Sequence, residues 1–388
     1  ARSGGSRCSG RRNGTVMSED LPEPDRIEGA PHPRHTAQLI GQATAEATFL
    51  HAFNGTRLHH GWLITGPRGV GKATLAWKIA RFLLATPDQD GGMFAAPPPE
   101  NLDIPDSHPI AHRLAALTES RMFLCRRAPN EKRDRLQTVI SVDEVRKMKS
   151  FFALSAADGG RRVAIIDSID EMNPNAANAL LKLLEEPPAR VTILMISHQP
   201  AKLLPTIRSR CRELRLGPLS PHDLADALTQ AGGDVAPEHR VALAELAGGS
   251  VGEAFRMTNL DGLKLYENLV RLFATLPRLD RPRALMLAEA GAGKGSEAQF
   301  ELIVTLLDLF LARLARAGTL QQLPPEAARG EGELIARLSP SPAHAREWAD
   351  VAQHLGLRAR RGKAVNLDPA ALLMDMLLHI NETARQLA

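Results

Sequence analysis

The amino-acid sequence predicts an α/β domain with a parallel sheet, followed by two helical domains. Predicted strands alternate with helical segments over residues 36–216, which is the pattern of a parallel sheet with helices on both faces. From residue 220 to residue 388 the chain shows helical periodicity and no strand pattern. A glycine-rich turn between the first predicted strand and the next helix is typical of folds that bind phosphate groups.

The first elements surround this turn. Residues 39–53 carry apolar residues at helical spacing, and residues 61–65 form a short apolar run that predicts a buried strand. Residues 72–84 predict a helix with one apolar face. Residues 86–109 contain six prolines, so we expect an excursion on the surface there.

A later strand, at residues 162–167, is predicted to end on the acidic residue Asp167. The helix after it should begin at Asn173 and Pro174, because Asn caps helix N-termini and Pro fits the first helical position. This helix should end at Pro187. The other segments of this region are an apolar segment at 122–124, a helix at 142–152 and strands at 191–197 and 213–216.

Four regions are predicted along the chain. Residues 1–35 are expected to be a disordered basic tail and leader, with Met17 as the expected native start. Residues 36–216 form the phosphate-binding domain. Residues 217–262 are predicted to be a small helical domain and residues 263–388 a larger helical domain.

Two C-terminal helices, at 299–317 and 366–384, have apolar faces that are wide for a small domain. We expect part of these faces to contact other protein chains, and the alternative is that they pack only on each other. The faces comprise Phe300, Ile303, Leu306, Leu307, Phe310, Leu372, Leu373, Met376, Leu377 and Ile380.

Composition limits the classes of function. Apolar residues make up 44% of the chain, and no apolar run is long enough to cross a bilayer, so we expect a soluble protein. Removing the four arginines of residues 1–16 from the 48 basic residues leaves 44, equal to the 44 acidic residues. A neutral body with few aromatic residues gives little support for an autonomous nucleic-acid-binding module.

The three cysteines, Cys8, Cys125 and Cys211, lie far apart in the sequence. Their spacing excludes a framework of several disulfides and a four-cysteine zinc site. We therefore expect a cytoplasmic protein without zinc.

The residues from Gly66 to Lys72 match the phosphate-binding loop G-x-x-x-x-G-K. Gly66, Gly69 and Gly71 allow backbone N–H groups to turn toward a phosphate, and Lys72 adds a positive charge. The alternative is a glycine-rich turn with an incidental lysine, which the flanking strand and helix disfavour. The loop predicts a site for ATP or ADP.

Two positions depart from the pattern of a hydrolytic site. Ala73 stands where the loop normally has Ser or Thr for magnesium, and Thr74 cannot replace it, because one helical step rotates a side chain by about 100°. Thr74 remains a candidate for contacting the nucleotide. Asp167 occupies the position of the magnesium-linked carboxylate, but Ser168 follows it where a water-activating base is expected. We therefore expect weak nucleotide binding, negligible hydrolysis and no complete metal site.

Asp170 and Glu171 lie close by, but their spacing from the strand aims them elsewhere. We interpret both as solvated carboxylates near a helix start.

Two further motifs carry a resemblance. Residues 178–188 read NALLKLLEEPP, and Ser209-Arg210-Cys211 follows the next strand. With the phosphate-binding loop, these motifs resemble the bacterial clamp-loader subunits of the AAA+ class. Residues 39–42 resemble the box that flanks the nucleotide in that family, and residues 59–63 resemble one of its members in particular. The resemblance is dense over residues 36–216 and weaker afterwards.

The resemblance implies an AAA+ P-loop domain at 36–216, a lid at 217–262 and a collar at 263–388 through which subunits assemble. It implies a hetero-oligomer with the gamma or tau and delta subunits of DNA polymerase III, which loads a sliding clamp onto primed DNA. No catalysis is expected of the isolated chain.

The resemblance also implies roles for single residues. Arg210 matches the arginine finger that reaches the ATP site of a neighbouring subunit, a role that suits the planar, permanently charged guanidinium. The alternative is that Arg210 belongs, with Arg208 and Arg212, to a solvated edge. Ser197 lies near the polar sensing residue of the family, and Gly252 stands in place of a second sensing arginine.

Three functions compete on the sequence alone, and the departures at Ala73, Ser168 and Gly252 favour the first. The first is a subunit that lends Arg210 to a neighbour and does no chemistry itself. The second is an active ATPase of the gamma/tau kind, with Asp170 or Glu171 as the base. The third is an autonomous DNA-binding module.

Overall fold

The computed structural model describes residue 23 and residues 29–36, 38–55, 58–87, 97–130, 132, 135–153, 160–293 and 296–388. The predicted tail at residues 1–16 and the expected start at Met17 lie outside these ranges. None of the helices within them is long and apolar enough to cross a membrane.

Five parallel strands form one sheet in the order β2-β3-β4-β1-β5. The strands are β1 Gly61–Thr65, β2 Met122–Arg126, β3 Arg162–Asp167, β4 Val191–Ser197 and β5 Arg212–Arg215. β1 and β4 are buried along their whole length, as expected of apolar strands in a sheet that is covered on both faces. The predicted α/β fold, a P-loop domain with a parallel sheet, is confirmed.

Helices cover both faces of the sheet. Because side chains alternate along a strand, Trp62 and Ile64 of β1 belong to one hydrophobic core, whereas Leu63 belongs to the other. The first core includes residues of α1 Ala43–Phe53, α2 Lys72–Ala85 and α3 Pro109–Ala115. The second includes residues of α4 Val142–Ala153, α5 Pro174–Glu185 and α6 Pro205–Arg208.

Helix α5 begins where the sequence predicts. The side chain of Asn173 accepts a hydrogen bond from the amide of Ala176 at 2.8 Å, and Pro174 occupies the first turn. The helix ends at Glu185, two residues before Pro187. Helices α3 and α6 were not predicted, because each is short and begins at a proline that also fits a loop.

The structure corrects the sequence prediction of disorder at the end of the leader. Residues 33–35 form a 3-10 helix rather than a disordered segment, and His32 before it is buried. The guanidinium of Arg81 in α2 donates to the carbonyl oxygen of Arg34 at 2.9 Å, and the ring of Trp77 meets that of His32 edge to face. Composition misses this order because the side chains that hold the leader lie more than 40 positions away.

After residue 220 the described chain is helical, as predicted. The helices are α7 Pro221–Gln230, α8 Arg240–Ala247, α9 Val251–Asn259, α10 Gly262–Phe273, α11 Arg281–Ala290, α12 Glu297–Leu320, α13 Glu331–Leu338, α14 Pro342–Ala364 and α15 Pro369–Leu387. A single hydrophobic core extends from Leu219 to Ala384 and includes buried residues on both sides of residue 262. The predicted boundary at that residue therefore does not separate two cores.

All ten residues of the two predicted apolar faces are buried in this core. The expectation that part of these faces contacts other chains is wrong. The alternative that the two faces pack only on each other is also wrong, since α12 packs on α10, α13 and α14, and α15 packs on α11 and α14. The width of the apolar faces could not decide between the two expectations. Four neighbouring helices of the same chain cover more surface than one partner helix would, so a wide face can be buried entirely within the chain.

A buried polar cluster joins four of these helices. The guanidinium of Arg313 in α12 pairs with Glu331 of α13 at 2.7 Å and with Glu245 of α8 at 3.1 Å. The hydroxyl of Tyr266 in α10 donates to the same carboxylate of Glu331 at 2.5 Å. Burial alone would lower the pKa of Arg313, but the hydrogen bond and the charge of Glu331 outweigh it and raise that pKa.

Replacing Glu331 with Ala should reduce the stability of the helical region by about 3 kcal/mol. Arg313 would keep a buried charge without its main partner, and the loss falls at the lower end of the range for broken buried pairs because Glu245 remains. Hydrogen exchange of peptides from residues 262–388 measures the loss. Glu267→Ala is the control, since this neighbour of Tyr266 makes only an exposed pair with Arg271 and should cost about 0.5 kcal/mol or less. Equal losses in the two variants would contradict the prediction.

Candidate functional site

The glycine-rich loop joins β1 to α2 and requires glycine at two positions in particular. Gly66 has a φ of +143°, and a Cβ atom there would lie 2.4 Å from the carbonyl oxygen of Leu216. Gly69 has a φ of +74°, and its Cβ atom would lie 2.2 Å from the hydroxyl of Ser250. Glycine adopts both positive φ values without strain and has no side chain to clash with these oxygens. The loop can therefore lie directly against the end of the sheet and the start of α9.

A cavity of about 330 Å³ lies beside the loop. This volume is within the range of small-molecule sites. The structure brings five of the predicted site residues together on its wall, and Gly66 is not among them. The five are Gly69, Gly71, Lys72, Thr74 and Asp167. The leader and helices α7 and α9 complete the wall, so three parts of the chain enclose one site.

Lys72 begins α2 and is almost completely buried, with 3% of its surface exposed. Its ammonium donates to the carbonyl oxygens of Gly66, at 2.8 Å, and Pro67. Burial lowers the pKa of Lys72 to about 8, although the charges of Asp167 and Asp170 oppose this shift. A phosphate group beside this ammonium would compensate the burial and favour the charged form.

The two positions that depart from the hydrolytic pattern, Ala73 and Ser168, both line the cavity. Ala73 packs against the first hydrophobic core, and Thr74 after it is half-buried on the cavity wall. Ser168 also lines the cavity, and its buried hydroxyl makes no hydrogen bond within the described chain. Ala73 supplies no oxygen for a magnesium ion, and Ser168 supplies no carboxylate beside Asp167.

Asp170 is not the solvated carboxylate that the sequence predicts. One of its oxygens accepts from the hydroxyl of Ser197 at 2.8 Å and from the amide of Gln199 at 3.3 Å. The other accepts from the amide of His198 at 2.5 Å. Asp170 thus ties the turn after β3 to the turn after β4. Ser197, the predicted sensing residue, is fully buried in this contact and does not line the cavity.

Glu171 also differs from the prediction. Its carboxylate forms an ion pair with the guanidinium of Arg127 at 2.9 Å, and both side chains are about three-quarters buried. Burial raises the pKa of Glu171, while the charges of Arg127 and Arg68 oppose the shift. The pair lies on the cavity wall, where the guanidinium neutralises the carboxylate.

Sequence reasoning missed three cationic or titratable residues of the cavity, namely Arg68, Arg127 and His198. Burial lowers the pKa of His198 to about 4, and the nearby charges of Lys72 and Arg68 act in the same direction. One signal could have identified two of them. Arg127 directly follows β2 and His198 directly follows β4, and ligands of parallel sheets bind beyond the carboxyl ends of the strands.

Two contacts fix the helical region to the loop. The amide of Val251, at the start of α9, donates to the carbonyl oxygen of Gly69 at 2.9 Å, and the amide of Gly252 lies 3.4 Å from the same oxygen. The side-chain amide of Gln42 donates to the carbonyl oxygens of Val70 at 3.2 Å and Gly217 at 2.8 Å. Gly252, the position of the predicted lost sensing arginine, therefore lies directly against the phosphate-binding loop.

Arg210 lies apart from this cavity, in the turn between α6 and β5. Its guanidinium donates through Nη1 to the carbonyl oxygen of Thr206 at 2.9 Å and pairs through Nη2 with Glu185 at 2.9 Å. The side chain is 36% exposed. Arg210 is therefore held at the surface and does not contribute to the wall of the P-loop cavity of its own chain.

No metal centre accompanies these residues. Among the described residues, no group of three or more His, Cys, Asp or Glu side chains is arranged to hold a metal ion. Cys125 is buried and Cys211 is half-buried, and burial raises the pKa of each thiol to about 12.

Residues 41–220 match the protein family described as DNA polymerase III, delta subunit. The match spans the whole sheet, the phosphate-binding loop and the turn that carries Arg210. The matched region contains the glycine-rich loop, Asp167 and Arg210, and Gly252 lies beyond it.

Known relatives extend the similarity. The chain is 39% identical to DNA polymerase III subunit delta' of Pseudomonas aeruginosa over 152 residues, which cover 39% of this chain and 41% of that protein. It is 26% identical to subunit delta' of Escherichia coli K12 over 330 residues, which cover 85% of this chain and 91% of that protein. A solved gamma subunit-related protein of Thermotoga maritima is 20% identical and aligns with 71% of this chain and 90% of its own, at a TM-score of 0.31.

Replacing Asp170 with Ala should destabilise the α/β domain by about 1–3 kcal/mol, because the buried hydroxyl of Ser197 and two backbone amides would lose their acceptor. Urea unfolding followed by circular dichroism measures the change. Asp143→Ala is the matched control, since Asp143 is exposed and pairs only with Arg146 one turn away on α4. A solvated Asp170 would make the two variants equally stable.

Proposed function

We propose that this chain is a delta'-type subunit of the DNA polymerase III clamp loader and helps to load a sliding clamp onto primed DNA. The observation that carries the proposal is the match of residues 41–220 to the delta-subunit family. The partners in this role are the gamma or tau and delta subunits, in one hetero-oligomer.

The phosphate-binding loop fits a nucleotide, since Gly69, Gly71 and Lys72 all line the cavity beside it. The loop amides and Lys72 would hold the phosphates of ATP or ADP, and Thr74 and Asp167 would lie on the same cavity wall. The residues do not fit a complete magnesium site, because Ala73 supplies no oxygen. Binding of nucleotide should therefore be weak and should depend little on magnesium.

The same cavity supports an absence of hydrolysis in this chain. Ser168 has no carboxylate, Asp170 accepts three hydrogen bonds, and Glu171 is paired with Arg127. A general base must accept a proton from the attacking water, which these contacts oppose.

Arg210 supplies the catalytic contribution in this proposal, as an arginine finger for ATP held by a neighbouring subunit. Its partial exposure and its absence from the wall of its own chain's cavity support a role in trans. A guanidinium donates to phosphate oxygens through a planar fork and stays charged at physiological pH.

A second candidate is an active ATPase of the gamma/tau type. The presence of Lys72 and Asp167 in one cavity favours it. The contacts of Asp170 and Glu171 oppose it, because either residue would have to leave its partners to act as the base. Turnover on the order of 1 s⁻¹ or faster by the isolated chain would establish this alternative.

The affinity for ADP should fall about tenfold between pH 7 and pH 9. Because the pKa of Lys72 is about 8 before binding, its protonated fraction falls about tenfold over this interval, and only the ammonium pairs with a phosphate. Phosphate raises this pKa in the complex, so affinity is lost as the pH rises. Calorimetric titration measures the change. Lys72→Arg should remove the pH dependence, because a guanidinium stays charged, and an equal decline in both proteins would show that another group titrates.

Arg210→Ala should leave folding, assembly and the nucleotide affinity of this chain unchanged. The ATPase of the reconstituted clamp loader, stimulated by clamp and DNA, should fall in part, since only one of several sites loses its finger. Trans fingers contribute roughly 10³–10⁵ in rate at the site they serve. Arg210→Lys should restore little, because an ammonium cannot replace the planar fork.

Arg208→Ala and Arg212→Ala are the controls for surface charge, since both arginines are exposed and flank Arg210. They should reduce the stimulated ATPase less than Arg210→Ala. Similar losses in all three variants, or full activity of Arg210→Ala, would refute the assignment of the finger.

A further inference from the structure

The contact between Arg210 and Glu185 joins two motifs that lie 25 positions apart. Glu185 is the last residue of α5, within the segment NALLKLLEEPP, and Arg210 lies in the turn before β5. Their side chains approach to 2.9 Å between Nη2 and Oε1, and the carbonyl oxygen of Thr206 accepts from Nη1 at 2.9 Å. Two anchors on different nitrogens define the plane of the guanidinium.

We infer that Glu185 is a positioning residue, which orients Arg210 for a phosphate held by a neighbouring chain. The inference rests on the proposed finger role of Arg210. An arginine side chain has many rotamers, and a guanidinium without anchors would lose this conformational entropy when it meets a phosphate. A guanidinium with two anchors has already lost part of that freedom.

The anchors leave donors for a ligand. A guanidinium has five N–H groups, and the contacts with Glu185 and Thr206 use two of them. Three therefore remain for phosphate oxygens, so Arg210 can keep both anchors while it binds. Glu185 thus acts through Arg210 and touches no substrate itself.

The chain contains a matched control for Glu185. Glu186 is the next residue, it is also exposed, and the ion pair of Arg210 is with Glu185 alone among the described residues. The two glutamates share charge, exposure and motif. A variant at each position therefore changes the local charge equally and removes the anchor in one case only.

The test uses the complete clamp loader reconstituted with Glu185→Ala, Glu186→Ala, Arg210→Ala or the double variant Glu185→Ala/Arg210→Ala. We expect Glu185→Ala to lower kcat of the stimulated ATPase by less than Arg210→Ala does, with little change in KM for ATP, because an exposed ion pair contributes roughly two- to fivefold at the one site that Arg210 serves. Glu186→Ala should match the unmodified complex. Glu185→Gln should be intermediate, because its amide oxygen still accepts a hydrogen bond. The loss in Glu185→Ala should shrink at high salt, since exposed charges are screened.

The outcomes separate this inference from the function on which it rests. If Arg210→Ala has no effect, the finger itself is wrong and the inference falls with it. If Arg210→Ala lowers activity but Glu185→Ala equals Glu186→Ala, only the positioning role is overturned. Higher activity in Glu185→Ala would show competition instead of positioning. The double variant should equal Arg210→Ala, and a further loss in it would show that Glu185 acts by another route.

Discussion

Backbone atoms of the glycine-rich loop lie in direct contact with the first turn of α9 and with the end of β5. The contact exists because Gly66 and Gly69 have no side chain and adopt positive φ values. Two backbone amides of α9 bond to the loop, and Gln42 bonds both to the loop and to Gly217. The position of the helical region relative to the sheet depends on these contacts, and so does the shape of the cavity between them.

Local patterns in the sequence were sufficient for the elements that define the fold. The apolar runs of β1 and β4, the cap at Asn173 and the loop before Lys72 each contain their own signal within a few residues. The strand–loop–helix order then places Asp167 on the same cavity wall as Lys72, because the carboxyl ends of all five parallel strands lie at one edge of the sheet, even though β4 separates β3 from β1.

Long-range contacts decided the features that the sequence could not predict. From the sequence alone Asp170 looks like a solvated residue, because its hydrogen-bond donor Ser197 lies on another strand. The leader likewise looks disordered, because the side chains of Trp77 and Arg81 that pack against it belong to α2. The burial of the C-terminal apolar faces is of the same kind. In each case the contacting residue lies on another helix or strand. The spacing of residues along the chain does not show which elements come into contact in the fold.

The polar cluster of Arg313 has a consequence for the choice of fragments. Glu245 lies before residue 262, whereas the other members lie after it, and the same core continues across that position. A fragment that ends at residue 262 would expose apolar surface from α8 and α9 and would leave Glu245 without its cation. A fragment that ends before Leu219 would keep the sheet and its two cores complete, although the loop would lose its contact with α9. Isolated versions of the α/β domain should therefore be cut at the end of the sheet, and their cavity would then be open on the side that α7 and α9 normally close.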